Sequence, residues 1–457
     1  MSVLSDPKSA IPRQLFSLAM PIIGINVLNV MMLAVDSALC GRLPDSDTAL
    51  AALGYSVQII FLLMVVMLGL MVGTVALVAR AYGGKAMDRV NLLLAQSTQL
   101  TVLVGLVIGV LGALLSGPIL EMLGASDKVV AVGVQYLRPL MLGTPFFYLA
   151  LLYAGVLRGV GNTRLPFLCA LLANVINAVL NYGLVLGNLG MPALGVTGSA
   201  IGTVCAQVAN TLALIYILRS GRIPNVRLSL RPRPIDRKLA IDLFRVGWPA
   251  AADLLVLNAG FLTAIGLLGR IDVITVAAHG LGLRVQALAF VPGIGVSQAT
   301  GAMVGQALGA GDPDRARRIA RASMVLCAAI MCSLAIILVV AAYPLVRIFD
   351  VKSGTDLEYY SVMWMYLLAV TMLPSAFHIA LVGVLQGSGA TRTSLWINIV
   401  TTIAIQIPLA WILGFGCELG PFGIWLSFPL SFVGKAAGAY WAIRRGTWAK
   451  TGVVVKA

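Results

Sequence analysis

Twelve times along its 457 residues the chain enters an apolar run long enough, as a helix, to cross a bilayer core. A hydrocarbon layer ~30 Å thick needs roughly 20 such residues, and inside it every backbone polar group must bond within its own segment. The runs span 14–39, 50–79, 92–116, 132–156, 165–186, 193–218, 243–268, 273–308, 317–341, 360–386, 394–415 and 421–443. They predict an all-α, polytopic membrane protein with twelve transmembrane helices. Only 11% of residues are charged, against about a quarter in soluble domains.

A formal charge of +15 raises nucleic acid as a partner, and the placement of the basic residues decides against it. They crowd alternate loops. On one side fall Lys8, Arg13, Arg80, Lys85, Arg89, Arg158 and Arg164, then Arg219 to Arg245 with Arg233 among them, Arg315 to Arg321, Arg392, Arg444, Arg445, Lys450 and Lys456. The opposite loops hold few basic and many acidic residues, among them Asp45, Asp47, Asp127, Asp350 and Glu358. This is the positive-inside pattern, which puts both termini and the central loop in the cytoplasm and makes the lipid bilayer the expected partner. The basic 219–245 stretch reads as a topology-setting linker near headgroups. No cleavable signal peptide is expected, because the first apolar run is too long and contains Asp36.

The two halves repeat. Leu15-Phe16 and Pro21 return as Leu243-Phe244 and Pro249, Thr74 to Ser97 as Thr300 to Ser323, and the Gly155 to Arg164 turn as Gly383 to Arg392. The offsets are 226 to 228 residues. Each half holds six helices, so the copies run parallel and form two pseudo-symmetric six-helix lobes, at 1–218 and 243–457, joined by a cytoplasmic basic linker at 219–242. Two such lobes can expose a cleft to one side and then the other by rocking.

Nothing in the sequence supports an enzyme. The Gly-x-Gly-x-Thr-Arg turns lack the lysine of an ATP-cradling loop, and His279 and His378 have no acidic companion nearby. Six scattered cysteines read as small core residues, without C-x-x-C spacing. Energy for transport is therefore expected from an ion gradient, with no cofactor beyond H⁺ or Na⁺ as coupling ion.

Ionisable residues inside the spans carry the functional signal, since a charge at a helix centre costs about 2.5–3.5 kcal/mol on insertion scales. These are Asp36, Asp253, Arg284 and Lys435. Asp36 sits ~5 Å from the outer end of its helix and Asn181 ~8 Å from its own, at a rise of ~1.5 Å per residue. Asn177 lies a turn from Asn181 on the same face, and Thr203 at similar depth. A carboxylate, two amides and a hydroxyl at matching depth read as a hard-oxygen site for a proton or Na⁺, with interhelical glue as the bland alternative. Asp253 and Arg284 lie at equal depth in antiparallel neighbours and are candidates for an internal ion pair, with Lys435 as another partner for Asp253. Pro21 and Pro249 permit helix bending. Met31, Met32, Met64, Met67, Met71 and Phe146 to Tyr148 are read as packing residues first and cavity lining second.

These residues together resemble the multidrug and toxic compound extrusion (MATE) family: Val35-Asp36-Ser37 before Gly41-Arg42, the paired G-V-L-x-G-x-G-x-T-R turns, Asn174-x-x-Asn177-x-x-x-Asn181 closed by Gly187, and Gly195-Val196-x-Gly198 leading to Thr203. The resemblance covers nearly the whole chain. It implies a monomeric secondary antiporter of the cell inner membrane that exports cationic or amphipathic small molecules in exchange for H⁺ or Na⁺. It also implies a cation-coupling site at Asp36, Asn177, Asn181 and Thr203. Two departures stand out. Some members have aspartate where this chain has Asn181. Others use acidic residues in helices 7 and 10, where this chain has Asn258 and Ser375, and Asp253 lies out of register with those positions. The rival expectation is a lipid-linked saccharide flippase of the same superfamily, which would carry more basic residues in its cavity; a non-transporting scaffold is the third.

Overall fold

A computed structural model describes residues 11–231 and 234–451; Lys8, Arg233 and Lys456 lie outside them, as does the side chain of Lys450. All regular structure among the described residues is helical. The first half gives α1 (Ile11–Cys40), α2 (Ser46–Gly83), α3 (Met87–Met122), α4 (Asp127–Gly159), α5 (Arg164–Leu186) and α6 (Val196–Arg219). The second gives α7 (Arg237–Leu268), α8 (Val273–Gly309), α9 (Pro313–Val340), α10 (Asp356–Ser388), α11 (Thr391–Gly416) and α12 (Gly420–Arg444). Eleven are long and apolar enough to cross a membrane. The twelfth, α12, has 25 residues but interrupts its apolar content with Gly434, Gly438, Ser427, Ser431 and Lys435.

Local chemistry sets the ends. Asp272 and Asp312 accept the Thr275 and Arg315 amides at 2.6 and 2.7 Å, capping α8 and α9, and Pro313 opens α9 where no amide donor is needed. Thr355 caps α10 by accepting the Glu358 amide at 3.3 Å. The repeated turns after α4 and α10 place Gly161 and Gly389 at φ +84° and +82°, backbone that L side chains disfavour. α11 is the irregular one: Val400–Gln406 and Ile412–Gly416 take the wider i→i+5 turn, a feature that often marks functional sites.

The repeat recurs in packing. α4 and α10, the fourth helix of each half, are the most enclosed. Thr74 Oγ1 bonds Ser97 Oγ at 3.0 Å, and Thr300 bonds Ser323 at 2.6 Å across the same 23 residues. Gly198 lies against Leu184 O, and Gly423 against Leu413 O, so that neither α6 nor α12 could carry a side chain there.

The compact units do not follow the expected boundaries. One is Gly24–Gly247; the other joins the chain before Gly24 to everything from Trp248 onward. Leu15, Leu18, Ala19 and Ile22, at the start of α1, are buried in one core with Val296, Met303, Ile319 and Met372 of the second half. The start of α7 belongs to the first unit for a similar reason: a Cβ at Gly73 would sit 2.7 Å from Leu243 O, and one at Gly247 2.6 Å from Gly69 O. Pro21 and Pro249 fall inside unbroken helices within two residues of these boundaries.

The basic linker is anchored as well. Asn91 donates to Asn225 O at 3.1 Å and accepts the Arg227 amide at 2.8 Å; Gln96 donates to Pro234 O at 2.9 Å and accepts the Asp236 amide at 3.2 Å. Ile223, Val226 and Leu228 are buried. The stretch is thus docked on α3, not merely a spacer.

Candidate functional site

The four residues singled out in the first half meet. Asp36 stands one turn before the end of α1, Asn177 and Asn181 one turn apart on α5, and Thr203 two turns into α6. Asn181 Nδ2 donates to Asp36 Oδ1. Thr203 Oγ1 donates to Asp36 Oδ2 at 3.2 Å and accepts from Asn177 Nδ2 at 2.9 Å. Asp36 is only 3% exposed. Asn181 Oδ1 is buried with no hydrogen-bond partner, so the site retains one unused hard-oxygen acceptor beside the carboxylate. Asn174, part of the same sequence pattern, instead donates to Ala170 O of its own helix at 3.0 Å and takes no part.

Close helix approach makes this cluster. A Cβ at Gly202 would run into Asn181 Oδ1, so α6 can bring Thr203 to Asp36 only with a bare position beside Asn181. Gly198, one turn earlier on the same face, lets α6 settle against Leu184 O.

No basic side chain among the described residues bonds Asp36. The three ion pairs among those residues, Arg317–Asp314, Arg318–Asp312 and Arg347–Glu358, all lie elsewhere. Two neutral donors offset part of its charge, and a buried carboxylate without a counter-charge is unfavourable unless a cation joins it.

Asp36 and Thr203 open on a cavity of about 480 Å³ inside the first unit. Met32, Met64, Phe147 and Tyr148 line it, with Asn29, Gln207 and Asn210 as polar points and no Lys or Arg. Met67 and Met71 are core instead, and Met31 is exposed.

The second half is arranged differently. Asp253 does not reach Arg284. Its carboxylate accepts Ser394 Oγ at 2.7 Å and Asn398 Nδ2 at 2.5 Å, whereas Arg284 is exposed on α8 and forms no ion pair among the described residues. A charge at equal depth can turn outward as readily as inward, and depth alone does not fix the face. Ser394 and Asn398 were not apparent in sequence, since single polar residues in an apolar helix are ordinary glue. Lys435 is buried and donates to Gln406 Oε1 at 3.2 Å. Asn258 and Ser375 bond their own helices, to Leu254 O and Met372 O at 2.9 Å each.

His279 sits among aromatic rings, 5.0 Å from Trp364 and 6.1 Å from Phe428 between centroids. No group of three His, Cys, Asp or Glu side chains positioned for a metal ion occurs among the described residues. Cys40, Cys169 and Cys327 are buried as expected of core thiols, while Cys205 and Cys417 are exposed.

Comparison with known proteins agrees with this architecture. The MatE family model matches twice, over residues 21–183 and 249–412, once in each half. A probable multidrug resistance protein, YoeA of Bacillus subtilis, is 27% identical over 433 residues, covering 93% of this chain and 92% of that protein. The probable multidrug resistance protein NorM of Thermotoga maritima is 25% identical over 453 residues, covering 98% and 96%. Among solved structures, a MATE protein in a bent conformation superposes with a TM-score of 0.88 at 21% identity, over 97% of this chain and 98% of that one. An outward-facing multidrug resistance MATE family transporter matches with 0.88 at 22%. With one MatE repeat in each half and this fold throughout, the chain belongs to the MatE family and is a multi-pass membrane transporter, not an enzyme.

Proposed function

We propose that the protein is a secondary antiporter that exports cationic or amphipathic small molecules across the cell inner membrane in exchange for H⁺ or Na⁺, with Asp36 as the coupling carboxylate. One observation carries the reading: a buried carboxylate without a basic partner opens on a largely apolar cavity. Methionine and aromatic walls adapt to apolar cargo of varied shape. The carboxylate gives a cation, whether coupling ion or cargo, a reason to enter.

Exchange follows if the two cations compete for one charge. When Asp36 binds a proton or Na⁺, the cavity loses the attraction that held a cationic cargo; when the ion leaves, the attraction returns. Asn181 and Thr203 set this balance, because both bond the carboxylate from neighbouring helices and must rearrange as its charge changes. For Na⁺ the Asn181 amide would turn its Oδ1 toward the site; for a proton it can stay as it is. Pro21, in the same helix as Asp36, supplies a place where α1 can bend in response. The basic loops orient both termini to the cytoplasm, and the monomer is the working unit.

The cavity beside Asp36, inside the first unit, is lined by no basic residue, which suits a cationic cargo better than an anionic one. Multidrug resistance in the names of the relatives points to export in the same way. Proteoliposomes loaded with tetraphenylphosphonium test the reading. Imposing a pH or Na⁺ gradient should drive its movement through the native protein and not through Asp36→Asn; flux without either gradient, or full activity in Asp36→Asn, would refute coupling at this residue.

A further inference from the structure

Asp253, 2% exposed, takes no part in the site around Asp36. Its two donors come from α11, and among the described residues the charged group that acts on it is Lys435 on α12. On α10, His378 lies near Lys435, and on α8 Arg284 is exposed. Ser394, Asn398, Thr402 and Gln406 recur every fourth residue of α11, and all four are buried. Gln406 Oε1 accepts both Lys435 Nζ and Ser431 Oγ, at 3.2 and 2.9 Å. Asn398 Oδ1 and Thr402 Oγ1 are buried with no partner. Gly260 of α7 leaves space for this stripe, since a Cβ there would lie 2.9 Å from Thr402 Cγ2.

This cluster mirrors the first site in a displaced register. Asp36 and Asn181 are 145 residues apart, and so are Asp253 and Asn398. The prolines and the Gly-rich turns repeat at 228, whereas the two carboxylate–amide pairs repeat at 217. The shift is 11 residues, about three helical turns, so the second pair falls on the same faces of its helices but ~16 Å nearer their N-terminal ends. The repeat partners of Asp253 and Asn398 are Ile25 and Ala170. Gly195 and Gly198 recur as Gly420 and Gly423, with Gly195 and Gly420 at φ +56° and +57°, which aligns Lys435 with Asn210. Ile25, Ala170 and Asn210 all line the 480 Å³ cavity of the first unit. The second unit thus puts a carboxylate, an amide and an ammonium on the faces that form a binding wall in the first.

We propose that Asp253, held by Asn398 and Ser394 and balanced by Lys435, is a second proton-binding site, contained within the C-terminal unit. With Asp253 ionised, the cluster is neutral overall. Uptake of one proton by the carboxylate leaves Lys435 as an uncompensated positive charge. The Lys435 ammonium disfavours a metal ion beside it and leaves the proton as the ligand. The two states differ by one full charge in a low-dielectric interior, so a cationic cargo is tolerated in one and repelled in the other. That last step rests on the export reading above; the protonation itself does not.

Infrared difference spectroscopy of the full-length protein with carbon-13 in its aspartate carboxyls, titrated from about pH 4 to about pH 9, tests the protonation directly. Two buried carboxylic-acid C=O bands should appear, one lost in Asp36→Asn and the other in Asp253→Asn. Asp253→Glu keeps a carboxyl for the fold but removes the labelled band, which covers the case in which Asp253→Asn misfolds. Lys435→Met should change the pH at which the Asp253 band titrates and leave the Asp36 band in place. The absence of any titrating band that Asp253→Glu removes overturns the proposal in favour of a permanently ionised structural brace. In proteoliposomes, Asp253→Asn should slow pH-driven tetraphenylphosphonium movement about tenfold, and unchanged flux would remove the effect on cargo. If the native protein moves no tetraphenylphosphonium, the export reading fails while the infrared result still decides the protonation.

Discussion

Asn177 is tied to Asp36 by way of Thr203, whose hydroxyl accepts from the Asn177 amide at 2.9 Å and donates to the Asp36 carboxylate at 3.2 Å. The direction is fixed, because the amide nitrogen can only donate and an ionised carboxylate can only accept. Thr203 is therefore the one member of the cluster that must do both.

Thr203→Val should break the relay and leave Asn177 Nδ2 buried without an acceptor, costing about 1–3 kcal/mol. Thr203→Ser should retain most of that stability. Thermal unfolding in detergent measures both, and equal melting of the two variants would argue against the relay.

Asn181→Asp puts a second carboxylate against Asp36. Two carboxylates at one site cannot both stay ionised without a cation between them. The variant should therefore show stronger Na⁺-dependent stabilisation against heat than the native protein, scaling with Na⁺ concentration as ligand linkage requires. A melting temperature indifferent to Na⁺ would contradict this.

Gly202→Val places a branched side chain where Asn181 Oδ1 lies. Overpacking of this kind costs about 1–3 kcal/mol. Gradient-driven flux should fall along with stability, because α6 must retreat and take Thr203 with it.

Gln96→Ala removes two of the four bonds that anchor the linker, to Pro234 O and from the Asp236 amide, and leaves the two made by Asn91. Each bond is worth about 1 kcal/mol. Trypsin should then cut the arginine-rich 219–237 stretch faster than in the native protein, with little change in transport.

Arg284→Gln should be silent in stability, within about 0.5 kcal/mol as for other exposed substitutions, and Lys435→Met should not. Equal losses would mean that Arg284 has a partner inside the fold after all.

Much of the fold was legible because membrane crossing and gene duplication both write long patterns. Each of the twelve apolar runs corresponds to a helix. Asp36, Asn177, Asn181 and Thr203 could be matched because their depths agreed. Asp253 was visible as a cost but its partners were not: depth arithmetic gives distance along an axis and says nothing of the face. Arg284 matched in depth but is exposed and does not pair with Asp253. The 145-residue spacing shared by the two Asp–Asn pairs was a usable signal, hidden because the second pair is displaced from the repeat. The wide turns of α11 have no sequence signature, and the docking of the linker depends on two amide side chains of α3.

Because the opening turns of α1 and α7 are each built into the core that the other half supplies, one unit is made of two separate stretches of chain and the other begins inside α1 and ends inside α7. During synthesis Leu15 and Leu18 must wait for α8 before they find their neighbours, while the first unit is finished only after α7 has begun. The closure is entropically affordable, since the cost of a long loop grows only with the logarithm of its length. Its consequence is temporal: the ribosome delivers no complete half until most of the chain exists, and a gene cut at the central linker would yield two fragments that each lack part of their own interior.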